Sequence, residues 1–252
     1  MNIFQQDVKI LAFDLESKPN LVWTWGLFNQ NISIGQIVEP TSMLCFGARW
    51  FGSKKVIFRS EYHDGKKEML EELHRLMDEA DYLVGWNSKG FDHKHINREF
   101  LENGMMPPSP TKDLDLLLLA RRHFRFTSNK LDYVSKQLGV GEKVKHTGFQ
   151  LWIDCMKGDA KAWALMKKYQ IQDVNLLIDL YEILKPWMDN QHPNMAVATG
   201  QPQACKICAS LDLRPRGSAF TSIGSYARVL CHDCGKWQKK KTLLATSETR
   251  EI

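Results

Sequence analysis

An apolar stretch at residues 8–16 ends in two carboxylates that are separated by one residue. Its apolar and β-branched residues predict a strand that is buried on both faces. Because successive side chains of a strand point to opposite faces, Asp14 and Glu16 share a face and lie about 6.6 Å apart along it. Two acids this close are costly to bury unless a divalent cation binds between them. The alternative is a frayed strand end on which both acids are hydrated.

The rest of the hydrophobic periodicity predicts an α/β fold. Since short strands and helices follow one another along the chain, we expect a mixed sheet flanked by helices. A stretch at 191–203 with Gln, Asn, Gly and two Pro predicts a linker between a domain at 1–190 and a small module at 204–252. The predicted strands are 32–38, 43–50, 56–58, 82–85 and 112–114, and the predicted helices are 67–80, 91–103, 116–124, 131–138 and 160–185.

The last long predicted helix carries an acid on its apolar side. Asp173 lies on the same row as Met166, Leu176, Leu177, Leu180 and Leu184. A carboxylate on a core-facing row needs a partner, and Tyr169 projects from the same face one turn earlier. Asp173 is therefore either part of a functional site or an acid at the edge of the stripe that pairs with Lys167 or Lys168.

A polar loop at 86–90 connects a predicted strand to a predicted helix that Asp92 begins. The helix dipole favours an acid in the first turn, which explains Asp92 on structural grounds alone. It does not explain why an aromatic residue, Phe91, directly precedes this acid.

Together, Asp14-x-Glu16, Asn87-x-x-x-Phe91-Asp92 and Tyr169-x-x-x-Asp173 resemble the three motifs of the DEDD 3′–5′ exonucleases, in the branch with a tyrosine. These enzymes have the ribonuclease H-like fold. The middle motif is similar to that of family B DNA polymerase proofreading domains, and the whole layout is similar to stand-alone exonucleases such as those of phages. Lys130-Leu131-Asp132, preceded by Ser128, also resembles a stretch of those domains. The resemblance covers residues 8–187.

The resemblance implies a metal-dependent exonuclease. Asp14, Glu16, Asp92 and Asp173 would bind two Mg²⁺ or Mn²⁺ ions, and Tyr169 would orient the attacking water. Phe91, Leu131, Asn87 and Lys130 would contact the substrate strand. The reaction would release nucleoside 5′-monophosphates from a free 3′ end, with single-stranded DNA favoured. A DNA polymerase or another replication or repair protein would be the partner.

Two other functions remain open. One is a ribonuclease H-like endonuclease that cuts structured or hybrid substrates. The other is a non-catalytic nucleic-acid-binding adaptor, whose sequence would lack one of the acids, and none is missing here.

Two features depart from the motifs. The segment 17–31 is long and carries Trp23, Trp25 and Phe28. These aromatic residues either stack on bases or form a lid packed on the core, and we favour the lid. Asp113 and Asp115 are further acids near the last predicted strand of the sheet, and we expect both to cap local structure.

Four of the six cysteines form two C-x-x-C pairs, Cys205/Cys208 and Cys231/Cys234, separated by 22 residues. This spacing is typical of a four-thiolate zinc site, and alternating residues at 218–223 and 225–230 predict a hairpin between the pairs. The tail is thus similar to a zinc ribbon that binds one structural Zn²⁺. Cys45 and Cys155 are expected to be buried hydrophobic residues.

The positive charge is concentrated in this tail. The net charge is +5, and from Gln201 onward there are nine Lys and Arg against four Asp and Glu. Basic residues beside aromatic ones favour nucleic-acid binding, although a protein-docking role or a simply solvated surface is compatible with the same pattern. The residues concerned are Arg214, Arg216, Tyr226, Arg228, Lys236, Trp237, Lys239, Lys240 and Lys241.

The sequence predicts no contact with a membrane. No apolar run approaches the roughly 20 residues of a membrane span, and no secretory signal begins the chain. We expect a cytoplasmic protein of a bacterium or of a phage-infected cell.

Overall fold

The computed structural model describes residues 8–246. It contains two compact units, a larger unit over Lys9–Glu182 and a smaller unit that begins at Ile183. Its strands are β1 Ile10–Ser17, β2 Leu21–Val22, β3 Ile37–Glu39, β4 Met43–Trp50, β5 Ile57–Ser60, β6 Tyr82–Gly85, β7 Lys112–Asp115, β8 Leu213–Thr221, β9 Gly224–Cys231 and β10 Trp237–Ala245. Its α-helices are α1 Lys66–Glu79, α2 Asp92–Glu102, α3 Leu116–His123, α4 Leu131–Gln137, α5 Phe149–Met156, α6 Ala160–Leu184 and α7 Met195–Ala198.

The larger unit is built on a five-stranded mixed sheet in the order β5-β4-β1-β6-β7. Strand β1 lies at its centre, antiparallel to β4 and parallel to β6. The predicted mixed sheet flanked by helices is confirmed. Since both neighbours satisfy the backbone of β1, this strand is a well-constrained platform for a site.

Helices cover both faces of this sheet. Phe13 and Leu15 of β1 pack with buried residues of α1 and α2 on one side, in a cluster that includes Leu73 and Ile96. On the other side, α5 and α6 supply a second buried cluster around Trp163. Because side chains alternate along a strand, Asp14 and Glu16 point away from the α1 and α2 side.

The sequence prediction fails at several places in the chain. The strand expected at 32–38 is a 3₁₀ turn at Ile34–Gln36 followed by the short β3, because the Gln36 side chain accepts hydrogen bonds from Ser33 and favours the turn. Helix α5 was not predicted. Strand β10 was not predicted either, and the region taken as a linker contains the short helix α7.

The smaller unit contains a three-stranded sheet in the order β10-β9-β8. The predicted hairpin is formed by β8 and β9, and both strands are longer than expected. Gly224 has φ +152°, and a Cβ atom there would lie 2.2 Å from the Ala245 carbonyl oxygen, so only glycine allows β10 to approach.

Among residues 8–246, each helix is either too short or too polar to cross a membrane.

Candidate metal-binding active site

The structure brings three of the predicted acids together. Asp14 and Glu16 on β1 and Asp173 on α6 each place a carboxylate oxygen within 4.8 Å of the others. Asp173 is fully buried. This arrangement depends on how α6 lies against the sheet, which the sequence pattern did not specify.

A glycine on β4 allows α6 to approach the sheet closely. Gly47 is the antiparallel partner of Asp14, and a Cβ atom there would lie 2.9 Å from Gln170 Cγ and 3.0 Å from Val174 Cγ2. The Gln170 amide uses this proximity to donate hydrogen bonds to the carbonyl oxygen of Asp14, at 2.6 Å, and to its carboxylate, at 3.0 Å. Helix α6 is therefore tied directly to the strand that carries the first two acids.

The fourth predicted acid, Asp92, is buried at the start of α2. Burial raises the pKa of its carboxyl group to about 8, and repulsion from Asp14 acts in the same direction. The repulsion shows that Asp92 lies near Asp14, although it is not one of the three acids whose oxygens lie within 4.8 Å of one another.

The acids have too little positive charge around them. Burial raises the pKa of Asp14 to about 7, and repulsion from Asp173 adds to the shift. Burial and repulsion by Asp14 raise the pKa of Glu16 well above its ordinary value. Burial also raises the pKa of Asp173, although Lys143 opposes this shift. A bound cation would relieve each of these costs.

Lys143, which the sequence did not single out, provides a positive charge in the site. Its ammonium donates hydrogen bonds to Asp173, at 2.5 Å, and to the Tyr169 hydroxyl, at 2.8 Å. Burial lowers the pKa of Lys143, but attraction to Asp173 and Asp14 outweighs burial, so the pKa is raised and the group stays charged. The predicted alternative, a pair of Asp173 with Lys167 or Lys168, is wrong, because the partner comes from the loop before α5.

Tyr169 lies where its spacing predicted, one turn before Asp173, and the Lys143 ammonium donates a hydrogen bond to each of the two side chains. Burial and repulsion from Glu16 raise the pKa of the phenol well above its ordinary value, so the hydroxyl remains protonated. The ring packs edge-on against His146, with centroids 5.0 Å apart, and against Trp152, with centroids 6.2 Å apart. The unpredicted helix α5 thus helps to fix the site.

The acid cluster meets the requirements of a divalent metal site. Its ligand atoms are carboxylate oxygens, which hard cations such as Mg²⁺ prefer. Asp173 Oδ1 is buried and has no hydrogen-bond partner among the described residues, so it is free to bind an ion. One cation is already present, because the Lys143 ammonium binds the other oxygen of Asp173, Oδ2.

The predicted substrate contacts differ in their exposure. Phe91 is 41% exposed and its ring contacts that of His95 at a tilt, and Lys130 is exposed. Leu131 is only 6% exposed, which is unfavourable for stacking on a base. Asn87 has φ +66°, a left-handed conformation that asparagine tolerates better than most residues, so its presence also has a local structural reason.

The two further acids have structural partners. Asp115 caps α3 as predicted and also accepts hydrogen bonds from the backbones of Asn87 and Lys89, which fixes the loop before Asp92. Asp113 is not a cap: it accepts a hydrogen bond from Ser88 and pairs with His93 at 2.8 Å.

The aromatic segment between β1 and β4 is exposed. Trp23 is 75%, Trp25 100% and Phe28 84% exposed, so the favoured interpretation of a lid packed on the core is wrong. The segment forms a hairpin of β2 and β3.

The four cysteines of the smaller unit also come together. One sulfur from each of the four lies within 4.8 Å of the others, with Cys205–Cys234 at 3.7 Å and Cys208–Cys231 at 3.6 Å. A zinc tetrahedron with Zn–S bonds of about 2.3 Å has sulfur–sulfur edges of about 3.8 Å, so the four thiols fit this ion. Cys45 and Cys155 are buried elsewhere, as predicted.

The comparison with known proteins agrees with this geometry. The sequence pattern of the RNase H superfamily matches residues 38–185, more than half of the chain. The chain belongs to the RNase H superfamily. The match begins after β1, so the strand that carries Asp14 and Glu16 precedes it. RNase H-like nucleases use divalent metals, and membership supports a nuclease, a hydrolase that acts on nucleic acid.

One similar solved structure is the family B DNA polymerase from the hyperthermophilic archaeon Pyrobaculum calidifontis. The TM-score is 0.56 at 12% identity, over 86% of this chain and 32% of the polymerase. This RNase H-like chain thus spans about a third of the polymerase, and the likeness concerns the fold alone. No curated protein is similar enough to match the chain.

Proposed function

We propose that the protein is a 3′–5′ exonuclease that removes nucleoside 5′-monophosphates from a free 3′ end, preferentially of single-stranded DNA. The observation that carries the proposal is the convergence of Asp14, Glu16 and Asp173, with the buried Asp92 near enough to be repelled by Asp14 and with Lys143 hydrogen-bonded to both Tyr169 and Asp173. The three sequence motifs of a DEDD exonuclease with a tyrosine supply these five residues in order.

In this proposal, the four acids hold two Mg²⁺ or Mn²⁺ ions. When bound, such a pair of ions activates water and stabilises the attacking and leaving oxygens of a phosphoryl displacement. Gln170 would keep Asp14 in place, and Lys143 would keep Asp173 in place, through the hydrogen bonds that they donate to these carboxylates.

Tyr169 would orient the attacking water and would not remove a proton from it. Its raised pKa excludes the phenolate as a base near neutral pH, whereas a neutral hydroxyl still donates and accepts hydrogen bonds. Lys143 restricts the rotation of this hydroxyl, since the same ammonium binds both Tyr169 and Asp173.

The test is an Mg²⁺-dependent time course on single-stranded DNA labelled at its 5′ or 3′ end. The 5′-labelled strand should shorten stepwise, and phosphorothioates at the 3′ terminus should stop the reaction. Asp173→Asn should reduce the rate by about 10³-fold, because a carboxylate that would help to hold the cations at the reacting phosphate is lost. Asp179→Asn, on the exposed side of the same helix, is the control and should leave the rate unchanged.

Internal cleavage of the 3′-blocked strand would favour the endonuclease. A rate for Asp173→Asn near that of the unmodified protein would show that the site is elsewhere. RNA and DNA strands of equal sequence, compared in the same assay, would establish which sugar is preferred.

A further inference from the structure

The sheet of the smaller unit has one face packed on the cysteine cluster and one that is not. On β9, Val229 and Cys231 are buried. On β10, Gln238 donates a hydrogen bond to Cys205 Sγ at 3.2 Å. These side chains therefore point towards the cysteines. Since side chains alternate along a strand, their neighbours Arg228 on β9 and Trp237 and Lys239 on β10 point away from the cysteines. Tyr226 belongs to the same set, two residues before Arg228.

We call the face formed by Tyr226, Arg228, Trp237 and Lys239 the outer face. The strand register places Lys239 directly opposite Arg228. The Arg228 guanidinium lies 5.0 Å from the ring centroid of Trp237, and the Lys239 ammonium lies 4.7 Å from that of Tyr226. Two pairs of a cation and an aromatic ring thus lie side by side on neighbouring strands.

The outer face is also free of negative charge. Strands β8, β9 and β10 contain six Lys and Arg and no Asp or Glu. Among the described residues, neither Arg228 nor Lys239 has a carboxylate partner, while Arg228, Trp237 and Lys239 are all exposed. Its charge is therefore complementary to a polyanion.

We propose that the outer face binds single-stranded nucleic acid, with Arg228 and Lys239 contacting phosphates and Tyr226 and Trp237 stacking on bases. Aromatic rings between cations are the arrangement that single-strand binders use, and guanidinium planes stack on bases as well. A duplex would use the charges alone, since its bases are already stacked on one another. The site lies outside the acid cluster and adds a substrate contact to the exonuclease proposed above, but binding without catalysis tests it separately.

The experiment measures binding of the full chain to a fluorescent oligothymidylate of about 20 nucleotides, without added Mg²⁺ or Mn²⁺, over a salt series. The double variant Arg228→Ala/Lys239→Ala should reduce the slope of log K against log salt by about 1.4, because two phosphate contacts of about 0.7 each are lost. Trp237→Ala should weaken binding about tenfold and leave the slope unchanged. Trp237→Phe keeps a ring and should retain most of the affinity.

The matched control is Lys54→Ala/Lys67→Ala, which removes two exposed charges from the larger unit and should change neither quantity. Bound zinc at one ion per chain shows that each variant keeps a folded ribbon. If the alanine double variant fails this check, Arg228→Gln/Lys239→Gln removes the same two charges with longer side chains and should give the same loss of slope.

The proposal would be overturned if Trp237→Ala and the double variant both kept the affinity and the salt slope of the unmodified protein. That result would favour a protein-docking surface. Equal affinity for a duplex of the same length, unaffected by Trp237→Ala, would overturn the single-strand assignment. Because the assay contains no added Mg²⁺ or Mn²⁺ and measures binding alone, failure of the exonuclease proposal leaves this result readable.

Discussion

The acid cluster and the cysteine cluster both gather metal-binding side chains, but their surroundings are different. The acids lie beside a sheet that packs apolar residues on both faces, with Phe13, Leu73 and Trp163 fully buried. Among residues 8–246, the buried cluster around the cysteines consists of Cys205, Ile207 and Cys231, with Leu213 and the other two cysteines partly buried against it. A core that small cannot stabilise a fold without its metal. The larger unit holds its acids together against their repulsion, whereas we expect the smaller unit to need a bound ion in order to fold.

The largest expected effect is the loss of zinc. Cys231→Ser should abolish zinc binding, which contributes free energy of folding on the order of 10 kcal/mol. The ribbon should therefore unfold, while the larger unit keeps its thermal transition. Zinc content and limited proteolysis report the two outcomes. Cys155→Ser, which alters a buried thiol of the larger unit, is the control and should retain zinc. A protease-resistant ribbon without zinc would remove the contrast between the two clusters.

The pH dependence of the two clusters should be opposite. Without added divalent ions, the pKa of Asp14 is about 7 in the folded protein and near 4 in the unfolded chain. Between these pH values the folded protein keeps a proton on Asp14 that the unfolded chain has released. Stability should therefore be highest at acidic pH and fall as pH rises towards about 7, by on the order of 1 kcal/mol per pH unit. Zinc binding should instead weaken on acidification, because thiolates become protonated.

Thermal unfolding of the larger unit at several pH values tests this contrast. Addition of Mg²⁺ should restore stability at the upper end of the range, and Asp14→Asn should flatten the profile. A profile that neither changes with pH nor responds to Mg²⁺ would mean that the acids carry no excess charge.

The smallest effect concerns how α6 is held against the sheet. Gly47→Ala should cost about 1–3 kcal/mol, because the new methyl group displaces Gln170 and Val174. Nuclease activity should fall as well, since the same displacement moves Asp173 relative to Asp14. Denaturant midpoints and initial rates measure the two effects.

Gly35→Ala is the matched control, because no atom lies within 4 Å of a Cβ there. If Gly47→Ala keeps full activity, the close approach of α6 to β4 is not needed to align the acids.

The pattern within short stretches determined much of this protein. Strand β4 occupies 43–50 as predicted, and α1, α2 and α6 begin and end within two residues of their predicted bounds. Alternation placed Asp14 and Glu16 on one face, and the i, i+4 spacing placed Tyr169 beside Asp173. These predictions succeed because strand and helix periods relate residues that are close in sequence.

Only the tertiary structure decided which distant residues complete the site. Lys143 comes from a loop without periodicity, Trp152 from a helix that was not predicted, and Gly47 acts by the absence of a side chain. Each depends on how far α5 and α6 approach the sheet, a distance set by packing over the whole unit. Local sequence therefore fixed which acids and cysteines could bind metal, while packing fixed their neighbours and their charge.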